Sequence, residues 1–89
     1  MKARKILEKA RSGSKNIRFE EFQYLIEAYG FVHDRIKGSH HSYERGALPR
    51  PFPVQSVRGK AKPYQVRQFL KLIDQYQLKL VGEAKDEEE

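Results

Sequence analysis

Cysteine and tryptophan are absent from this 89-residue chain, and methionine occurs once. Without thiols there is no disulfide framework, no thiolate nucleophile and no cysteine-based zinc site. No apolar run is long enough to cross a bilayer, and no signal-peptide core follows the start. The expectation is a soluble, cytoplasmic protein with no membrane partner. Clustered carboxylates are missing around the paired histidines too. Asp34 and Glu44 are the only acids near the paired histidines, which gives a metal-dependent reaction little support. No cofactor is expected.

Positive charge is plentiful. The formal charge is +6, placed unevenly. Residues 83–89 carry five acids and one base, for −4, leaving +10 on residues 1–82. A body this basic favours a polyanion, most simply nucleic acid. The same charge would also serve a merely soluble surface. The length fits one domain with a modest core. Three segments are expected: a helical extension over 1–16, a globular body over 17–82, and an acidic tail over 83–89 that reads as disordered.

Residues 2–11 predict a short helix, with Ile6, Leu7 and Ala10 on one side and Ser12-Gly13-Ser14 ending it. A second helix is predicted over 17–29, with Asn16 as its N-cap. Phe19, Phe22, Leu25, Ile26 and Tyr29 form its apolar stripe, and Gly30 is its C-terminal stop. Strands follow at 31–36 and 40–45, joined by a turn at Gly38-Ser39. Pro49 and Pro51 mark a loop, and 52–57 reads as a short third strand. Arg58-Gly59-Lys60-Ala61-Lys62 reads as a basic loop able to contact phosphates, or simply as a solvated turn. Pro63 suits the first turn of a last helix, whose stripe is Val66, Phe69, Leu70, Ile73 and Tyr76. Leu78-Lys79-Leu80-Val81 reads as a short closing segment. The expected class is α+β: a three-stranded antiparallel sheet with two helices on one face, plus a short N-terminal helix. An α-β-β-β-α core of this kind is the layout of double-stranded-RNA-binding domains.

The chemistry centres on Lys37-Gly38-Ser39-His40-His41-Ser42-Tyr43. Adjacent strand residues point to opposite faces, so only one of the two histidines can serve a given face. Imidazole titrates near neutral pH and can exchange a proton during a reaction. In a basic protein that suggests chemistry on a phosphodiester, although a histidine in such a setting is more often an ordinary surface residue.

Three stretches carry a family resemblance. Tyr29-Gly30-Phe31 ends the second helix. Lys37-Gly38-Ser39-His40-His41 is similar to a Gly-Ser-x-His signature. Lys62-Pro63-Tyr64-Gln65-Val66-Arg67-Gln68-Phe69-Leu70 is similar to a Lys-Pro-x-x-aliphatic-Arg-x-x-Leu helix start. Together they make residues 17–77 resemble HicA toxins, messenger-RNA interferases of toxin–antitoxin pairs. The resemblance implies a double-stranded-RNA-binding-like fold, metal-independent RNA cleavage and neutralisation by a HicB antitoxin that covers the active site. It implies that His41, the last residue of Gly-Ser-x-His, is catalytic, with His40 at the variable position. Arg35, Lys37, Gly38, Ser39, Lys60 and Lys62 are the candidate RNA contacts. Many members carry a further Pro-x-His before the last helix, whereas this chain has Pro53-Val54-Gln55-Ser56 there. The alternatives are a non-catalytic RNA-binding module of the same fold and a domain that binds an acidic protein through its basic face. The oligomeric state is left open.

Overall fold

A computed structural model describes residues 2–46 and 48–81; the acidic segment 83–89 lies outside the described residues. Among the described residues there are three helices, α1 (Ala3–Arg11), α2 (Phe19–Ala28) and α3 (Pro63–Tyr76), and one antiparallel sheet, with α1 packed against α2 and α3. The strands are β1 (Val32–Lys37), β2 (His40–Glu44), β3 (Phe52–Val57) and β4 (Lys60–Ala61), in the order β1-β2-β3-β4. The α-β-β-β-α order is as expected, with one more strand than the sequence suggested. No helix among the described residues is long and apolar enough to cross a membrane.

The extra strand comes from the stretch expected to be a basic loop. Arg58 and Gly59 both adopt positive φ, 54° and 78°. Two such residues form a tight hairpin turn whose twist matches its flanking strands. Lys60 and Ala61 therefore fold back to pair with Val57 and Ser56. On its other side β4 captures the chain before α2. The Ala61 amide donates to the Ile17 carbonyl at 2.9 Å, and the Phe19 amide donates to the Gly59 carbonyl at 2.9 Å.

That capture corrects the predicted start of α2. Residues 17–18 are held beside β4 and cannot be helical, so Asn16 is not the N-cap. Arg18 takes that place, with extended backbone. Its amide donates to the Glu21 carboxylate three residues on, at 2.9 Å, which supplies one half of a capping box. At the other end Gly30 has φ 89°, the left-handed conformation that lets the chain leave the helix for β1.

The two predicted stripes meet in one core, except that Tyr76, expected on the buried stripe of α3, is exposed at its last turn. Phe22, Leu25, Ile26, Val66, Phe69 and Ile73 are buried, and Leu70 is partly buried against them. Phe69 is its hub: its ring lies 5.5–5.8 Å from those of Phe22, Tyr29, Phe31 and Phe52, mostly edge to face. Removing a large side chain from water contributes roughly 1.5–3 kcal/mol, so these rings are a large part of what holds a domain of this size together. Ala3, Ile6 and Ala10 of α1 join the same core. Ion pairs link α1 to the other helices, among them Lys9 to Glu21 at 3.2 Å and Arg11 to Asp74 at 3.0 Å. Residues 77–81 after α3 form no strand. Gln77 turns left-handed at φ 51°, Leu78 is buried, and the Val81 amide donates to the Ala28 carbonyl at 2.7 Å.

Candidate functional site

β1 and β2 join at Gly38-Ser39. Gly38 has φ 63°, while Ser39 is not left-handed. A positive φ at the first turn residue alone is the II′ pattern that favours glycine there. The turn sets the register: Lys37 faces His40, Ile36 faces His41, and Arg35 faces Ser42. Cross-strand partners share a face of the sheet. His41 and Tyr43 pair with Val54 and Phe52 of β3, both buried, so these two side chains point to the helix-covered face. His40 points the other way and is exposed.

A bulge then changes the pairing. Regular register would set Asp34 opposite Tyr43. The register instead shifts between His33 and Arg35, and His33 takes the place opposite Tyr43. One extra residue in a strand reverses which faces its neighbours occupy. The bulge thus brings His33 onto the face of His41. His33 Nε2 lies 3.1 Å from His41 Nδ1, with the two rings nearly parallel at 19°. The His33 ring also lies 4.9 Å from that of Tyr43.

Helix α2 closes the other side. The Phe19 ring packs on the His41 imidazole at 5.0 Å. Gln23, one turn further on, donates from its carboxamide to the Tyr43 hydroxyl at 2.9 Å and lies 3.4 Å from His41 Nδ1. The Tyr43 hydroxyl donates in turn to the Glu27 carboxylate at 3.5 Å. A polar chain therefore runs Glu27–Tyr43–Gln23–His41–His33 along the seam between α2 and the first hairpin. Burial first, and the charge of His33 second, hold the His41 imidazole below its ordinary value. Burial pushes the Tyr43 hydroxyl up, so it stays protonated and can donate.

The consequence is a half-buried histidine that is neutral at neutral pH. Its Nδ1 is engaged, while its Nε2 makes no hydrogen bond among the described residues. An imidazole fixed at one nitrogen and open at the other can take or give a proton at the open one.

The expected RNA contacts are spread around this point rather than gathered on it. Gly38 and Ser39 form the hairpin tip beside His40, where Gln55 donates to the Ser39 hydroxyl at 3.2 Å. Arg35 and Lys37 are exposed on the opposite face of the sheet from His41, and Arg35 lies 3.4 Å from the Asp34 carboxylate. Lys60 is exposed on β4, with Arg18 paired opposite it. Lys62 precedes α3 with its ammonium 5.7 Å from the Tyr64 ring. Sequence reasoning missed His33 and Gln23 as neighbours of His41, and Glu27 as the partner of Tyr43 behind them. Gln23 and Glu27 left a signal, a polar pair one helical turn apart beside an apolar stripe. Among the described residues, no three histidines or carboxylates converge on a point that would hold a metal ion.

No curated protein and no solved structure matches this chain. The family model described as HicA toxin of bacterial toxin-antitoxin matches residues 19–75, well over half of its length. The matched stretch begins at the phenylalanine that packs on His41, takes in both histidine strands and ends within α3. The chain belongs to the HicA toxin family of bacterial toxin–antitoxin systems.

Proposed function

We propose that this protein is an endoribonuclease that cleaves messenger RNA without a metal, with His41 as its general acid and base, and that a HicB-like antitoxin silences it by covering the hairpin. The observation that carries this reading is His41 itself, half-buried and held at Nδ1, with Nε2 making no hydrogen bond among the described residues. In the reaction, the ribose 2′-oxygen attacks the adjacent phosphorus as its proton passes to His41 Nε2. The bond from phosphorus to the 5′-oxygen breaks, and the departing oxygen takes the proton back. One imidazole, used in turn as base and acid, leaves a 2′,3′-cyclic phosphate and a 5′-hydroxyl. Its lowered proton affinity suits the first step, since the ring starts neutral.

The substrate enters the argument through shape and charge. A groove of about 400 Å³ lined by Gly30, Val32, Arg45 and Pro51 does not include His41. The histidine pair lies at the seam between α2 and the first hairpin, with His33 exposed and His41 half-buried, which suits a polymer crossing the molecule. Lys60, Lys62 and the Gly38-Ser39 tip, whose Ser39 carbonyl accepts from the Ser56 amide beside Ala61, lie at one end of the sheet and are the contacts proposed for its backbone. Arg35 and Lys37, on the far face, fit a strand that wraps the hairpin edge, or the acidic antitoxin.

The test is incubation of the purified protein with messenger RNA in the presence of chelator. Shortened RNA with cyclic-phosphate ends supports the proposal. RNA that shifts in a gel without shortening makes the protein a binding module instead. No binding even at low salt, where phosphate contacts are strongest, makes it a domain for an acidic protein.

A further inference from the structure

We propose that His33 is the positioning residue of His41: the hydrogen bond and ring stacking between the two imidazoles fix the His41 ring so that Nε2 faces outward. This deepens the reading of His41 as the acid–base group and rests on it. The family match does not supply a second imidazole here. The region before α3 that would carry one reads Pro53-Val54-Gln55-Ser56, and Gln55 points to Ser39 on the other face. The second ring comes instead from β1, and it is there because of the bulge at Asp34.

The geometry defines the role. His41 Nδ1 and His33 Nε2 are 3.1 Å apart, so one of them carries the proton between them. When His41 is about to act as a base, the useful arrangement has Nδ1–H donating to His33 and a lone pair on Nε2. When His41 has taken the substrate's proton, the same bond from Nδ1–H to the His33 Nε2 lone pair holds the imidazolium. A second proton on the pair would put two positive charges side by side, which the charge of His33 already opposes at His41. The other groups that face the pair come from α2 and the sheet. From α2 these are Phe19 and Gln23, with Glu27 reaching the pair only through the Tyr43 hydroxyl. From β2 it is Tyr43, kept protonated; from β1 and β3 they are Ile36 and Val54, the partners of His41 across the sheet. Tyr43 also braces the ring of His33.

Two substitutions separate positioning from bulk. His33→Gln keeps a group able to donate to or accept from Nδ1 but removes the ionisable ring. His33→Leu removes the hydrogen bond. His33 is exposed, so neither change empties the core. The first readout needs no RNA: titration of the histidine ring resonances by NMR in wild type and His33→Gln. His41 should titrate below the ordinary imidazole value in wild type and move upward in His33→Gln. The second readout is the pH–rate profile of RNA cleavage. His33→Gln should stay within roughly tenfold of wild type with its acidic limb moved to higher pH, while His33→Leu should lose roughly 100-fold through misplacement of the reacting ring. If His41 titrates identically with and without His33, the pair is overturned whether or not RNA is cut. Full activity in His33→Leu with an unmoved pH profile also overturns it. Coupled titration in a protein that cuts no RNA would leave the pair standing and fail the nuclease reading alone.

Discussion

The ring of Phe19 lies 5.0 Å from the imidazole of His41 and is tilted 59° to it, placing the first apolar residue of α2 directly on the hairpin. That contact removes water from one side of His41 and is part of why burial is the larger cause of its lowered proton affinity. It has a consequence for stability. In the fold the neutral ring is favoured, while in the unfolded chain the ring protonates near its ordinary value of about 6.5. The stability His41 contributes is therefore present above that value and is lost as the pH falls toward the lower folded value. Urea midpoints measured between neutral pH and about pH 5 should fall in wild type. They should fall less steeply in Phe19→Ala, where the ring regains water.

Phe69 is fully buried among four aromatic rings, and its replacement by alanine leaves a cavity that several rigid neighbours must border. Phe69→Ala should destabilise the protein by about 3–5 kcal/mol in chemical denaturation. His40→Ala, on the exposed face, should change stability by less than about 0.5 kcal/mol.

Glu21 performs two tasks at once. Its carboxylate accepts the Arg18 amide at the start of α2 and pairs with Lys9 of α1. The Arg18 amide first, then Lys9, hold it below the usual carboxylate range against the opposing effect of burial. Glu21→Ala should cost roughly 1–2 kcal/mol at neutral pH. The difference from wild type should shrink as the pH falls through the range in which the folded carboxyl protonates, because stability tied to a depressed carboxylate is lost on acidification.

The antitoxin proposal has its own signature. Charge reversal at Arg35, Lys37 and Lys60 should slow association with an acidic antitoxin and flatten its dependence on salt, as measured by stopped-flow or surface-binding kinetics. If the complex leaves the hairpin open and RNA is still cut, direct masking is wrong.

Much of this architecture was legible because helical periodicity survives tertiary packing. Phe22, Leu25 and Ile26 on α2, and Val66, Phe69 and Ile73 on α3, repeat at helical spacing and are all buried. Phe52–Val57 was readable as a strand because prolines bound its start. β4 was not, since two residues after a tight turn leave no alternation to detect. The start of α2 was misplaced for the same reason: the hydrogen bonds that hold Ile17 and Phe19 come from residues some forty positions later. His41 was visible through Gly-Ser-x-His, and strand alternation separates it from His40. His33 was hidden. The regular register from the Gly38-Ser39 turn puts Asp34 on the site, and only the bulge, which no local residue type announces, puts His33 there.

The most direct measurement is the single-turnover rate of RNA cleavage by wild type, His40→Ala and His41→Ala, with chelator present and the fold of each verified by circular dichroism. A positioned acid–base group typically contributes on the order of 10²–10⁴-fold, so His41→Ala should lose at least that lower bound. It should remain folded and still bind RNA, while His40→Ala keeps substantial activity. A folded His41→Ala that cuts RNA as fast as wild type would contradict the assignment of His41 as the group that moves the proton.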